Sequence, residues 1–437
     1  MVLIKEAIKY IEKKCNHWEI FQKKTEVLNF EFTKNKANYI SSGKIHGIGV
    51  RVAVDKRLGF SYTDNINRYK ECIDAALGSA CINNRDPDFS AFVYPDKYEN
   101  VEKSVKELEQ FDNEDVVSFF QEFSSRLNEL DKELTVGSST YKKITGSKRI
   151  LNSEGVDVVE SYGHNTVYFE PIIAGDINYE CGLIEPLPLD PGCAVDFGKR
   201  VLALKEKRHA TTQKIQALFH ADALGQLLYT FVNAAFNAED IEKEKSPLFD
   251  NLGDSVFDKK FTLVDNSLAP RLLHTRKADD EGTPSQKTTL VKKGVIKNFI
   301  YDNYCAVKQG KKSTGNAVRS AFSLPEIGTT NLLVGPGRYR ELVKEIDRGI
   351  YLKGLMGVHT MNRHTGDFSL AVYEGHYVKN GEVLFPVKDT MVSGNVIELL
   401  SNITAIGNTL KHSYNGGEGG VYAPEILFPE IQVIGTK

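Results

Sequence analysis

The chain has 437 residues and a formal net charge of −3, with 41% hydrophobic and 26% charged residues. This length supports two or three domains with cores of their own, and the composition is that of a globular protein rather than a disordered one. The balanced charge excludes a dedicated nucleic-acid binder, which would carry a basic excess. No apolar run approaches the roughly 20 residues that a membrane helix needs.

The cysteines and the N-terminus predict a cytoplasmic protein. Six cysteines are spaced widely and irregularly, without a Cys-x-x-Cys pair, as in proteins whose thiols stay reduced. The N-terminus is amphipathic from its first turn and lacks the long apolar core and small-residue cleavage site of a signal peptide. We therefore expect the chain to stay in the cytoplasm and to bind no membrane.

Helices and strands alternate in the N-terminal region. Apolar residues at helical spacing predict helices at residues 3–14, 67–80, 114–130 and 194–208. Strands are predicted at residues 27–32, 47–54, 60–63, 134–136, 141–144, 148–152, 156–161 and 166–173. The polar stretch at 83–103 contains two prolines and is predicted to be a linker or a mobile loop.

Beyond residue 240 the pattern changes to short strands separated by Gly-rich turns, most clearly over residues 349–387. The predicted fold class is therefore α+β. Residues 1–200 form a region of mixed helices and antiparallel strands, and residues 201–437 form a larger β-rich domain. The boundary is expected between residues 190 and 215. Residues 85–110 mark a second break if the N-terminal region holds two subdomains.

A predicted strand at residues 214–219 leads into a helix that begins beside Asp222. Aligned on Gly225, this segment has the frame of a zinc peptidase helix, His-Glu-x-x-Gly-His, whose histidines bind the metal and whose glutamate activates a bound water. The three chemical positions hold Ala221, Asp222 and Gln226 instead. Taken alone, the segment is also an ordinary helix start, so its interpretation depends on the rest of the C-terminal half.

The C-terminal half carries linked segments that resemble one protein family. They are residues 279–284 (DDEGTP), 313–319 (STGNAVR), 329–332 (TTNL), 365–369 (TGDFS), 375–382 and 392–395 (VSGN). In this order and spacing they resemble the TldD/PmbA family, and more closely its PmbA (TldE) branch. Residues 47–60 and 151–156 agree more loosely, so the resemblance covers nearly the whole chain.

The resemblance implies a division of labour between two subunits. TldD-type members are zinc peptidases that carry His-Glu-x-x-x-His and a C-terminal cysteine ligand. PmbA-type members lack these residues and pair with a TldD-like subunit around a chamber that degrades unfolded peptides. In this chain no cysteine follows Cys305, and the place of the ligand falls at Asn415. The resemblance therefore implies no metal in this chain and a zinc ion in its partner.

Three histidines are further candidates. His220 is two residues from Asp222 and so on a different helix face, which favours a structural histidine at the strand-to-helix junction over a metal ligand. His359 and His364 are five residues apart in a β-rich stretch without a nearby cysteine. For these two, the resemblance suggests a place near the substrate chamber instead of a metal site. His220 is a candidate for a chamber-facing residue as well.

Two polar segments have both a structural and a functional interpretation. Asp279, Asp280 and Glu281 form either a carboxylate site for a metal ion or a solvated turn, and we expect the turn. The other segment starts at Ser313, and its candidates for a chamber-facing loop are Ser313, Thr314, Asn316 and Arg319. Hydrogen bonds from this loop to neighbouring backbone are an equally good interpretation.

The sequence thus predicts a non-catalytic subunit of a TldD/TldE-type zinc metalloprotease that closes the chamber and holds extended peptide. Its expected partner is a TldD-like subunit, with a homodimer when that partner is absent. One alternative is a self-sufficient homodimeric metallopeptidase with an unrecognised site. Another is an interaction protein that modulates gyrase-directed toxins.

Overall fold

A computed structural model describes residues 2–33, 36–103, 105, 108, 112–173, 176–177, 181–183, 190–413 and 420–435 of the protein. Its α-helices are α1 (Val2–Ile11), α2 (Tyr69–Ile82), α3 (Asn113–Leu130), α4 (Cys193–Leu202), α5 (Ala221–Ala235), α6 (Ala238–Glu242), α7 (Asn303–Lys308) and α8 (Val396–Ser401). Among the helices of these residues, none is both long and apolar enough to cross a membrane.

The N-terminal region is built on one antiparallel sheet. Its strands are β1 (His17–Thr33), β2 (Lys36–Val54), β3 (Arg57–Thr63), β4 (Leu134–Asn152), β5 (Asp157–Ile173), β6 (Asp176–Ile177) and β7 (Cys181–Leu183). They lie in the order β3-β2-β1-β4-β5-β6, and β7 also pairs with β5. The sheet is dominated by four strands of 17 to 19 residues.

These long strands correct the short ones predicted from the sequence. The predicted strands at 134–136, 141–144 and 148–152 are parts of the single strand β4, and those at 156–161 and 166–173 lie in β5. Polar residues and glycines such as Gly146 separate the apolar runs in the sequence. The backbone ladder continues through them because β4 pairs with β1 on one side and with β5 on the other.

Helices cover the sheet in two places. Helices α1 and α2 pack on β1 and β2 around Ile11, Val50 and Ile73, which have no solvent exposure. Helices α3 and α4 pack elsewhere on the sheet. There the Phe123 ring of α3 stacks on the Phe169 ring of β5, with the ring centroids 4.0 Å apart. The apolar face of each of these helices is therefore buried against the sheet.

Over its described residues, the C-terminal region has a six-stranded sheet and an eight-stranded sheet. Its strands are β8 (Arg208–His209), β9 (Gln213–Phe219), β10 (Leu263–Asn266), β11 (Lys287–Lys292), β12 (Val295–Ile296), β13 (Ala317–Val318), β14 (Glu326–Ile327), β15 (Asn331–Val334), β16 (Arg348–Met356), β17 (Asp367–Lys379), β18 (Glu382–Lys388), β19 (Thr390–Asn395), β20 (Ala405–Ile406), β21 (Lys411–Ser413), β22 (Gly420–Ala423) and β23 (Ile426–Gly435). One sheet runs β12-β11-β10-β15-β22-β21, and the other runs β16-β9-β23-β19-β17-β18-β8. Helix α5 packs against β21 and β22 of the first sheet and against β16 of the second. The α+β fold class is confirmed.

Two predicted segments differ from the structure. Helix α4 ends at Leu202, six residues before the predicted end, and the chain turns there toward the short strand β8. Residues 83–103 have no helix or strand, as predicted, but Phe89, Phe92 and Val93 in this stretch are buried. This stretch is therefore packed onto the protein and is not a solvated linker.

Candidate functional site

The candidate site lies where β9 runs into α5. Strand β9 pairs with β16 in parallel and with β23 in antiparallel orientation, so its end is held on both sides. His220 caps α5, because its Nδ1 accepts a hydrogen bond from the backbone amide of Asp222 at 3.3 Å. Its own amide donates to the carbonyl of Leu352 at 2.8 Å. His220 thus fixes the junction, as a histidine with a structural role would.

The three positions of the expected zinc helix hold no histidine, and their surroundings differ. Ala221 has no solvent exposure, and Gln226 is half-buried. Asp222 lies near a cation, since its Oδ2 is 3.6 Å from the Arg200 guanidinium. Gly225 faces strand β21, where an added Cβ would lie 2.2 Å from the Cβ of Ser413.

A buried carboxylate and two partly buried cations lie at the start of α5. Arg200 binds Glu374 through Nε at 2.8 and 2.9 Å and through Nη2 at 2.5 Å, and Glu374 is fully buried. Lys353 lies 3.7 Å from the same carboxylate, and burial lowers its pKa. A buried carboxylate is stabilised by such paired cations. Helix α4 and strands β16 and β17 together supply this group of charges.

A second chain of polar contacts reaches the edge strand β21. The Tyr351 hydroxyl donates to Glu425 at 2.6 Å, and burial together with that carboxylate raises the pKa of Tyr351. Lys411 of β21 lies 3.9 Å from Glu425 and 3.3 Å from Nε2 of His220. These contacts connect the cap of α5 to the strand that precedes the predicted position of the third ligand, Asn415, which itself lies outside the described residues.

The residues at this site do not fit a catalytic zinc ion. Ala221 has no donor atom, Gln226 supplies only an amide, and the carboxylate of Asp222 is near Arg200. Zinc sites in peptidases use histidine, cysteine or carboxylate ligands around an open position. Over the part of the chain that the structure describes, no group of three or more His, Cys, Asp or Glu side chains is arranged to hold a metal.

Comparison with known proteins identifies the family. Residues 212–435 match the family described as PmbA/TldA metallopeptidase C-terminal domain, and residues 18–81 match PmbA/TldA metallopeptidase domain 1. The chain belongs to the TldD/PmbA family, on its PmbA/TldE branch. It is 29% identical over 429 residues to an uncharacterized protein of Methanocaldococcus jannaschii, an alignment that covers 97% of this chain and 98% of that one.

Two further members of the TldD/PmbA family are similar over nearly the whole chain. The metalloprotease PmbA homologue of Haemophilus influenzae is 24% identical over 438 residues, which cover 94% of this chain and 88% of that protein. The crystal structure of TldE from Thermococcus kodakarensis superposes with a TM-score of 0.90 at 25% identity, covering 99% of this chain and 100% of that one. The fold is thus shared along the full length.

The loop that begins at Ser313 bonds largely to its own neighbours. The hydroxyl of Ser313 donates to the carbonyl of Tyr301 at 3.2 Å, and Thr314 donates to the same carbonyl at 3.1 Å. The amide of Asn316 donates to Asp265 at 3.0 Å. Arg319 is 7% exposed and lies in the protein interior. The polar side chains of this loop therefore have structural partners.

The other two histidines lie at the surface. His359 belongs to a 3₁₀ turn after β16, and His364 lies in the loop before β17. Both are exposed, and Nδ1 of His364 is 3.1 Å from the carbonyl of Lys245. The structure does not bring either histidine together with a set of metal-binding side chains among the described residues.

The acidic segment 279–281 is a turn, but the expectation that it is solvated is wrong. Asp279, Asp280 and Glu281 are 0, 8 and 1% exposed. Asp279 holds the turn, because its Oδ1 accepts from the amides of Glu281 at 2.9 Å and Thr283 at 2.8 Å. Lys148 and Arg51 of the N-terminal sheet pair with Asp280 and Glu281, so two of the three adjacent acids have a cation from that sheet.

No sequence motif pointed to the charges around α5. Arg200, Lys353 and Glu374 are separated by up to 174 residues in the chain, and no motif connects them. A weak signal was present, since Lys353 and Glu374 interrupt apolar strands whose neighbouring positions are buried. A charged side chain in an otherwise buried strand implies a partner of opposite charge, and only the tertiary structure identifies that partner.

Proposed function

We propose that this chain is the non-catalytic subunit of a TldD/TldE-type zinc metalloprotease that acts on unfolded peptides. A TldD-like partner would supply the zinc, the water and the general base. This chain would close the chamber and hold the extended substrate. The proposal rests on membership of the PmbA/TldE branch combined with the composition of the site on α5.

One observation carries the non-catalytic assignment. The structure has a strand running into a helix at the place where the resemblance aligns the zinc helix, and the aligned positions are Ala221, Asp222 and Gln226. Asp222 is in addition 3.6 Å from Arg200, so its charge is already balanced in part. A general base must be free to take a proton from a bound water, and the contact with Arg200 opposes that role.

The substrate-holding role is proposed for the surface beside this site. Among the strands that the structure describes, β21 is the last of its sheet, and it borders α5. An extended peptide can add to such an edge through backbone hydrogen bonds. Among the chamber candidates, His359 and His364 are exposed, while Asn316 and Arg319 are buried. We therefore propose that the exposed histidines contact peptide, and that the loop at Ser313 and Thr314 supports the wall of the chamber.

The test combines metal analysis with peptidase assays. The chain is purified alone and with a TldD-like partner, and zinc is measured by elemental analysis, with cleavage of an unfolded peptide as a second readout. We expect no zinc and no cleavage with the chain alone, and about one zinc per heterodimer with cleavage that a chelator abolishes. Stoichiometric zinc on the isolated chain would make it an enzyme in its own right.

The partner alone is the matched control. If the TldD-like subunit cleaves the peptide equally well without this chain, the chamber role is wrong and the interaction-protein alternative gains support. Cleavage that appears only when both chains are present supports the proposed division of labour. The alternative of a self-sufficient homodimer predicts chelator-sensitive cleavage by this chain alone.

A further inference from the structure

A cavity of about 520 Å³ lies between the two regions of the protein, away from the residues around α5. Its walls come from β2 and β3 of the N-terminal sheet, from the stretch 83–92 and from α6 and α7. None of Arg200, Asp222, Lys353 or Glu374 lines it. Its volume is in the range of sites that take small molecules or single peptide residues.

One wall of this cavity is aromatic. Phe89 and Phe92 line it, are 8 and 3% exposed, and have ring centroids 5.3 Å apart in an edge-to-face arrangement. Phe60 and Leu58 of β3 also line it, and the exposed side chain of Leu324 lies among its lining residues. These side chains offer an apolar surface that a ligand with a hydrophobic body can cover.

Two buried carboxylates line the same cavity, and only one is paired with a cation. Glu281 binds Arg51 at 2.8 Å and accepts from the amide of Asn303 at 2.9 Å. Asp302 is 7% exposed, and its Oδ1 accepts from the amide of Cys305 at 2.8 Å, with the Cys305 thiol beside it. Among the described residues, no lysine or arginine nitrogen lies within 4.0 Å of the Asp302 carboxylate.

A buried carboxylate without a directly paired cation is costly, because its charge is removed from water. Arg51 also faces Asp302 and partly offsets this cost, but its guanidinium is paired with Glu19 and Glu281. Burial and the nearby charge of Glu281 accordingly raise the pKa of Asp302 to about 6. Near neutral pH the group is still mainly ionised. A ligand that brings a positive charge would therefore relieve an unfavourable interaction that the protein leaves in place.

The charges at the exposed part of the cavity do not supply that cation. Lys308 is 2.6 Å from Glu242 and 3.7 Å from Asp88, and Lys243 pairs with Glu239. Counted over the described residues, the lining contains five carboxylates and three cationic side chains. The cavity thus favours positively charged ligands over negatively charged ones.

We propose that this cavity binds a primary ammonium group carried on a short apolar body, with the ammonium paired to Asp302 and the body against Phe89 and Phe92. Two sources share this chemistry, namely a small free amine and the N-terminal residue of a peptide. The site is separate from the proposed peptidase role, so either can fail without the other.

The test is calorimetric titration of the full chain with benzylamine and with benzyl alcohol, a neutral molecule of nearly the same shape. We expect benzylamine to bind and benzyl alcohol to bind at least roughly tenfold more weakly, because only the amine makes a charge-assisted contact. Equal binding of the two, or no binding of benzylamine up to about 10 mM, would overturn the proposal.

Variants locate the binding. Asp302→Asn removes the charge but keeps an oxygen that can cap α7, and we expect it to weaken benzylamine binding roughly tenfold or more. Leu324→Lys, at an exposed position of the lining, adds a repelling charge and should also weaken binding. Asp250→Asn, on an exposed turn outside the lining, is the matched control and should leave binding unchanged.

The same two variants can also contradict the proposal. Unchanged binding in both Asp302→Asn and Leu324→Lys would place benzylamine elsewhere and overturn the site. If Asp302→Asn fails to fold, the result with Leu324→Lys alone decides.

Titration with the peptide Phe-Gly-Gly and with its N-acetylated form distinguishes the two sources of the ammonium group. Binding of only the free-amine peptide, more tightly than benzylamine, supports a peptide N-terminus, while binding of benzylamine alone supports a small amine.

Discussion

Two neighbouring acidic residues of this protein have pKa values shifted in opposite directions from their usual range, because their partners differ. The Lys148 ammonium, 2.6 Å from Asp280, holds the pKa of that carboxyl well below its usual range, although burial alone would raise it. Burial, together with the nearby charge of Glu281, raises the pKa of Asp279 to about 7. At the scale of single residues, the cation within reach decides which carboxyl is ionised.

Asp302 gives a pH prediction at this scale. Its pKa is about 6 in the folded chain and close to 4 when unfolded, so the folded state binds the proton more tightly. That contribution to stability is complete below about pH 4 and is lost as the pH rises through 6. The groups facing Asp302 are Glu281, Arg51 and the Cys305 thiol. We expect the free energy of unfolding of the wild type to fall between pH 4 and 6. In Asp302→Asn this fall should be smaller.

The measurement is urea denaturation at a series of pH values for the wild type and for Asp302→Asn. Asp250→Asn serves as the control, because that side chain is exposed and should leave the slope as it is. A wild-type and a variant curve that run parallel from pH 4 to 6 would contradict the raised pKa of Asp302.

At the scale of elements, the contact between α5 and β21 organises the site. Helix α5 is buried on nearly all sides, as expected for a helix packed between two sheets. Strand β21 approaches it so closely at Gly225 that Ser413 occupies the place of a side chain and donates to the carbonyl of Asp222 at 3.2 Å. A glycine at this position is therefore required by packing.

Replacing this glycine tests the contact. In Gly225→Ala the new Cβ would lie 2.2 Å from both Cβ and Oγ of Ser413, so β21 must move. We expect a loss of about 1–3 kcal/mol in the free energy of unfolding, measured by urea denaturation. Gly78→Ala in α2 is the matched control, because its Cβ meets nothing within 4 Å, and it should be neutral or stabilising by up to about 1 kcal/mol. Equal effects of the two would refute the close packing.

At the scale of the whole molecule, a network of buried charges joins the N-terminal sheet to the C-terminal region. Arg51 of β2 binds Glu19 of β1 and also Glu281, both at 2.8 Å. Arg319 reaches Glu19 at 2.6 Å, and its guanidinium lies 4.3 Å from the ring centre of Phe21. Because each carboxylate faces a cation from the other region, the two regions are expected to unfold together.

Breaking this network should destabilise the whole chain. Arg319→Leu leaves the fully buried Glu19 with one cation instead of two, and we expect a loss of about 3–5 kcal/mol in the free energy of unfolding. Arg126→Leu is the control, because Arg126 pairs with Glu122 on the exposed side of α3, and it should cost less than about 0.5 kcal/mol. Urea unfolding followed by circular dichroism measures both. Similar small losses would contradict a joining role for the network.

The sequence by itself determined the features that depend on local pattern. It predicted the α+β class, the strand and helix that meet at His220, and the helix that the structure places at Asn113–Leu130. It also predicts that Ala221 and Gln226 are altered ligand positions, because a motif is a property of neighbouring residues. The resemblance to the TldD/PmbA family followed from such short segments and is confirmed.

The tertiary structure decided what depends on contacts between distant residues. Short predicted strands became the continuous β4 because partner strands on both sides maintain the ladder. An acidic turn that looked solvated is buried because Lys148 and Arg51 reach it from another region. The pairing of Arg200 with Glu374 crosses 174 residues. Burial and charge pairing are set by the folded packing, so no window of the sequence could contain them.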